Sequence, residues 1–330
     1  MARNSFTSNS SLRRVSFLLA FIAGLVAIDR TTAYCLTKLL HGITTGQASG
    51  GLINAALQKA DSSVLVFGSS LACHHIDPVT IEKLTGRSCF NAGCDGQNIH
   101  YARMLEALLL KNGTRAQSFV YMLNWSDLFL SNSTAANLFG PFRGQSQVID
   151  DLLNDNHLKN RIKSLSHTYL FNGLVVSILR QFIKPNHEGI LGFVPLESEF
   201  RDTHSELARV AREANIREIT PEQFIEAEKK LALYEAFANA AQSAGIEVVF
   251  VYGPTLRKGV PAGVQETFAV KRFEAVAERT GCKFLGLDES NLAEFAEQES
   301  LYNDRLQLNK AGALRLSELL ATYLNASPDA

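Results

Sequence analysis

The chain has no basic excess. Its 32 lysines and arginines meet 33 acidic residues, for a formal net charge of −1. Nothing in that balance is set to neutralise phosphates, so no nucleic-acid partner is expected. Cysteine is sparse as well. The five residues Cys35, Cys73, Cys89, Cys94 and Cys282 stand at irregular gaps with no CxxC pair. Such an odd, scattered set is neither a disulfide framework nor a zinc site by spacing, and no metal or cofactor is called for. Cys73 and Cys94, each following a neighbouring strand, are the one pair that could meet. Internal repeats and low-complexity tracts are also lacking. What is there is a 330-residue chain, 46% hydrophobic and 20% charged, a balance that suits a globular protein with a sizeable core rather than a disordered one. That length allows one large domain or two smaller ones.

One long apolar run stands near the N-terminus. Arg3, Arg13 and Arg14 precede the fourteen residues 15-VSFLLAFIAGLVAI-28. Such a run is short for a membrane-spanning helix, which needs roughly 17–25 residues, and suits the core of a signal peptide. Cleavage after 31-TTA-33 is one reading. In another, the helix continues through 31-TTAYCLTKLL-40 with Asp29 and Arg30 snorkelling to the interface. A buried core helix is the third. The retained anchor is preferred over cleavage, with the basic N-terminus inside and the rest of the chain outside the cytoplasm. The expected organisation is a basic tail over 1–14, an anchor or signal segment over 15–40, a linker and lead-in helix over 41–60, and a globular domain over 61–330.

Within that domain strands and helices alternate. Short apolar runs bounded by Gly, Asn or Asp predict strands at 63–68, 88–93, 118–123, 246–253 and 282–287. Helices are predicted over 77–86, 97–113, 220–245 and 264–281. The third has the strongest signature: Thr220 as N-cap, Pro221 in the first turn, Gln223 to complete a capping box, and Gly245 as a left-handed stop. Its apolar face is predicted to be Phe224, Ala227, Leu231, Tyr234, Ala238 and Ala241. Strands separated by helices imply a parallel sheet covered on both faces, a three-layer α/β/α flavodoxin-like fold. Residues 132–217 interrupt the alternation and read as a helical insertion beside the active edge, with helical patterns at 149–165, 168–182 and 200–215.

In a parallel sheet, sites form beyond the carboxyl ends of the strands. The first strand leads there into 68-GSSLACHHIDP-78, the second into 91-NAGCDGQN-98 and the third into 124-NWSD-127. The last helix follows 301-LYNDRLQLNKAG-312. In that order, these four stretches resemble the SGNH (GDSL-type) hydrolases. The apolar segment ending in Asp-Arg, Gly-Ser-Ser in place of Gly-Asp-Ser, and the following Ile-Asp-Pro resemble membrane-associated bacterial SGNH-like proteins, some of which handle acyl groups on extracellular polysaccharides. The resemblance covers about residues 60–325 and leaves the insertion unmatched.

What it implies follows residue by residue. Ser70 falls where the nucleophile stands, and Gly96 where an oxyanion-hole glycine stands. The family's asparagine falls on Asn124 or, in another register, Ser126. Asp304 matches the aspartate that orients the base. The base itself should be a histidine three residues on, and there the sequence has Gln307. A serine hydroxyl needs a neighbouring base, and an amide cannot accept its proton. His74, His75 and His100 are the substitutes within reach of the same edge. His167, His187 and His204 lie in the insertion. Trp125 reads as a sugar-stacking platform or as packing. Two functions are therefore expected as alternatives. One is an extracytoplasmic esterase or O-acyltransferase acting on a carbohydrate or acylated glycan. The other is a catalytically silent module that binds a glycan or a protein partner in envelope polysaccharide assembly.

Overall fold

The computed structural model describes residues 8–129, 135–154, 165–185, 189–201, 213, 215–258, 261–286 and 292–326. A single helix, α1 (Ser8–His41), opens the chain, and α2 (Gly51–Gln58) leads into the sheet. Then come β1 (Val64–Gly68), α3 (Ser70–His75), α4 (Pro78–Thr85), β2 (Cys89–Asn91), α5 (Ile99–Lys111) and β3 (Ser118–Leu123). The short α6 (Trp125–Phe129) follows, with α7 (Ala135–Phe139), α8 (Gln147–Asn154) and α9 (Val175–Ile183) in the region read as an insertion. The chain returns through α10 (Pro221–Ser243), β4 (Glu247–Tyr252), α11 (Val264–Thr280), β5 (Lys283–Leu285), α12 (Leu292–Phe295) and α13 (Lys310–Asn325).

All five strands pair in parallel, in the order β2-β1-β3-β4-β5. Their side chains divide by the two-residue period of a strand. Leu65, Phe67, Phe119, Tyr121, Val248 and Phe250 join one core with residues of α1, α2, α5, α10 and α11. Val64, Val66, Val120, Met122, Val249 and Val251 face the opposite way, into a core with α3, α4 and α13. The fold is therefore α/β with helices on both faces of one parallel sheet. Strand order reverses direction between β1 and β3, where Gly68 lies opposite Met122. Ser69 and Ser70 thus leave the sheet beside Asn124.

The long helix α10 starts as its sequence requires. Thr220 Oγ1 accepts the Gln223 N–H at 3.2 Å and Gln223 Oε1 accepts the Thr220 N–H at 3.0 Å. Its buried face differs in detail from expectation. Phe224 is 45% exposed and packs against Phe268 at 5.9 Å, while Phe237 and Lys230 are buried.

α1 has two halves in different surroundings. Between Leu12 and Ile28 its large apolar side chains point outward all round, from Phe17 at 74% exposed to Ile22 at 47%. Beyond Asp29, Ala33, Leu36 and Leu40 are buried in the core. Asp29 stands at the junction, and it does not snorkel. Its carboxylate accepts from Ser166 Oγ (2.6 Å), the His167 N–H (2.8 Å) and the Thr168 N–H (3.0 Å). No helix among the described residues is long and apolar enough to cross a membrane.

Of the three helical patterns read in the insertion, the first is helical to Asn154, with the rest of it largely outside the described residues. The second becomes a 3₁₀ turn over Thr168–Phe171 followed by α9. The third, at 200–215, lies almost wholly outside the described residues. The stretch 189–194 lies along β2 and α3. Leu191 O accepts the Asn91 N–H at 2.9 Å, and the Val194 N–H donates to Cys73 O at 3.0 Å.

Candidate functional site

Ser69 is the N-cap of α3, with extended backbone and no side-chain capping bond, and Ser70 is the first residue of the helix. Both are half-buried at the carboxyl end of β1. Gly68, at φ +143°, makes the exit possible, because a side chain there would meet Ala72 Cβ at 2.9 Å and Met122 O at 3.0 Å. Neither serine hydroxyl is hydrogen-bonded to a described histidine.

The two histidines of α3 are held elsewhere. His74 is buried, with Nδ1 2.6 Å from Val194 O and Nε2 3.2 Å from Asp95 Oδ1. Burial works against a charged ring, but the Asp95 carboxylate, the Val194 carbonyl and Asp304 outweigh it and raise the His74 pKa. His75 is fully buried and accepts the Leu308 N–H on Nε2 at 2.9 Å. Desolvation, aided by the neighbouring His74, brings its pKa down to about 3, so it stays neutral. His100, on the first turn of α5, turns Nδ1 to Asn98 Oδ1 at 3.1 Å, the same oxygen that caps the helix. His167 lies at the Asp29 junction instead. His187 and His204 lie outside the described residues.

Asp304 and Gln307 bind each other. Asp304 Oδ1 accepts the N–H groups of Leu306 (2.8 Å) and Gln307 (2.9 Å), and Gln307 O accepts the Asn303 N–H at 2.8 Å. This closed turn rests on α3 through the Leu308–His75 bond. The structure thus brings the Asp304–Gln307 turn to the helix that Ser70 begins, but spends one Asp304 oxygen on the turn itself.

Asn124 and Ser126 form a helix cap. Asn124 Oδ1 accepts the Ser126 N–H at 2.9 Å, and Asp127 Oδ2 accepts the Asn124 N–H at 3.1 Å. Asp127 is buried, and desolvation pushes its pKa up to about 7 despite the Asn124 N–H and Lys230. The Lys230 ammonium donates to the carbonyls of Asp127 and Leu128 at 3.0 Å each. Trp125, 1% exposed, is a packing residue and no platform for a sugar. Gly96 is exposed at φ +67° in the β2–α5 loop, a conformation that accounts for a glycine by itself.

Sequence reading missed what lies on the other side of that loop. Gln47 bridges it, donating from Nε2 to Cys73 Sγ at 3.1 Å and accepting the Asp95 N–H on Oε1 at 2.7 Å. Cys73 and Cys94 are not joined by a disulfide. Next to Asp95 opens a cavity of about 790 Å3, whose walls include Ser49, Asn137, Ser177, Arg180 and Lys184 but not Ser70. The signal for it in the sequence is the three- and four-residue spacing of Ser177 and Arg180 on α9 and of Lys184 at its C-cap. Comparison with models of known protein families and with curated proteins finds no match for the chain.

Proposed function

We propose that this chain is a membrane-anchored, SGNH-like module of the cell envelope that binds a polar glycan and does not hydrolyse it. The strand order is that of flavodoxin-like sheets, in which ligands lie where the order reverses, and Ser70 stands at that point. One observation carries the silent reading. Gln307 occupies the position of the base, and His74, His75 and His100 each direct a ring nitrogen to a partner other than Ser70. Without a base, serine is a poor nucleophile. The adjoining cavity is lined by hydroxyl, amide and cationic groups, which suits a polyol bearing acidic groups better than an acyl chain.

The membrane reading rests on α1. A helix that is apolar all round needs a hydrocarbon or protein environment, and the outward side chains between Leu12 and Ile28 find none among the described residues. Fourteen residues of helix cover about 21 Å, less than the roughly 30 Å of a bilayer core. Local thinning and snorkelling of Arg13 and Arg14 close such a gap. Cleavage after Ala33 would remove Asp29 and its three hydrogen bonds to residues 166–168, which supports retention of the helix. A protein partner in polysaccharide assembly fits the same anchored placement.

An esterase or O-acyltransferase is the second reading, because Ser70 keeps the nucleophile position at the sheet edge. Treatment of the full chain in detergent with a serine-reactive fluorophosphonate separates the two. No adduct on wild-type protein is expected. An adduct on Ser70, lost in Ser70→Ala, would overturn the silent reading and establish an activated serine.

A further inference from the structure

Two residues of α3 and one of the β2–α5 loop form a cluster that the glycan reading does not use. Cys73 Sγ, a ring nitrogen of His74 and a carboxylate oxygen of Asp95 all lie within 4.8 Å of one another. We propose that Cys73, His74 and Asp95 form a binding site for a thiophilic divalent cation of the zinc class, with its fourth position open to the cavity beside Asp95.

Distance is the first argument. Ligand atoms about 2.0–2.3 Å from a tetrahedral ion lie roughly 3.3–3.7 Å apart. His74 Nε2 and Asp95 Oδ1 already stand 3.2 Å apart, so an ion can replace the hydrogen bond between them with little movement.

The supporting contacts are a second, independent argument. Metal-binding imidazoles characteristically donate their other N–H to a carbonyl or carboxylate, which fixes the tautomer and aims the free lone pair. His74 Nδ1 lies 2.6 Å from Val194 O, leaving Nε2 to face the cluster. Gln47 holds both remaining ligands, donating to Cys73 Sγ and accepting the N–H of Asp95. A single side chain thereby sets the thiol and the carboxylate-bearing loop in register.

Donor type selects the ion. Thiolate, imidazole and carboxylate together suit zinc, whereas magnesium and calcium prefer all-oxygen shells. Three protein ligands leave one position of a tetrahedron for water or an exogenous group. Cys73 and His74 are buried while Asp95 is exposed and lines the cavity. The same cavity is lined by Arg180 and Lys184, so an oxyanion held there would have cations as well as the metal for company. No spacing rule finds this site, because Asp95 reaches Cys73 and His74 only through the β1–β2 pairing.

Cobalt(II) titration of the metal-stripped full chain in detergent tests the proposal. One equivalent of Co2+ should give a thiolate-to-cobalt charge-transfer band and the visible absorption of a tetrahedral site, both erased by Zn2+. Cys73→Ser should abolish the charge-transfer band. Asp95→Asn, a substitution at an exposed loop position, should weaken binding tenfold or more, and Cys94→Ser should leave the spectrum unchanged. Circular dichroism confirms that each variant is folded. Absence of the band in wild-type protein, its survival in Cys73→Ser, or full affinity in Asp95→Asn would each overturn the proposal and leave an ordinary His74–Asp95 pair.

Discussion

Asp29 and Thr168, 139 residues apart in sequence, hold each other twice. The Asp29 carboxylate accepts the Thr168 N–H at 3.0 Å, and the Thr168 hydroxyl donates to the Asp29 carbonyl at 2.9 Å. With the bonds from Ser166 and His167, this knot fixes where the exposed half of α1 meets the folded domain. Asp29→Ala should lower stability, since charge-assisted bonds are lost and two backbone donors lose their acceptor. Denaturant titration in detergent measures the loss. N-terminal sequencing of the mature protein should also find residues ahead of Asp29, which a cleaved signal would not leave.

Gly192 allows the 189–194 segment to lie against the sheet. It has φ +87°, and a Cβ there would sit 1.8 Å from Asn91 O. Gly192→Ala therefore combines a disfavoured backbone conformation with a backbone collision that no rotamer relieves. The expected cost is more than about 3 kcal/mol, read from the urea midpoint.

The contribution of Asp127 to stability should fall as pH rises from about 4 to about 7. Asp127 has its pKa pushed up to about 7 in the folded chain, against about 3.9 when unfolded. Between those values the unfolded state has released a proton that the native state still holds, so each added pH unit costs on the order of 1 kcal/mol. Lys230 faces the carboxylate and opposes the shift, while Tyr121, Tyr234 and Tyr252 keep their protons throughout. His74 and His75 titrate independently of this carboxylate, so the difference between wild-type and Asp127→Asn isolates it. That difference should slope with pH only within the window, and a flat difference would refute the assignment.

Thr220→Ala removes a capping box at an exposed helix start. A loss of about 1 kcal/mol is expected, with thermal unfolding as the readout and Thr220→Ser close to wild type.

The cavity beside Asp95 should prefer acidic over neutral oligosaccharides. Arg180→Ala, at an exposed position of α9, and Lys184→Ala, at the exposed residue that ends it, should each weaken an acidic ligand several-fold. The effect should shrink at high salt, because solvent screens such pairs. Calorimetry at two ionic strengths decides it.

The framework was readable because its determinants are local. Five apolar runs ending in turn residues became five parallel strands, and Thr220, Pro221 and Gln223 could announce α10 without knowledge of anything beyond the next turn. The buried face of α10 was harder. Phe224 lies in the first turn, where it meets Phe268 rather than the sheet, and Lys230 is drawn inward by the carbonyls of Asp127 and Leu128. The placement of Ser70 just beyond the carboxyl end of β1 was legible, but the partners of the histidines were not. His74 finds Val194 and Asp95, and His75 finds Leu308. Those contacts depend on how an insertion, a loop and a C-terminal turn converge on one short helix, and no periodicity encodes that.

α1 runs unbroken from Ser8 to His41. A continuous helix has no hinge, and its last thirteen residues, about 20 Å of axis, are built into the domain they carry. A protein joined to its anchor by a floppy tether samples a wide volume above the surface. With the exposed half of α1 held in a membrane, as we propose, the domain would sit on a stiff post, and tilting that half would swing the whole head.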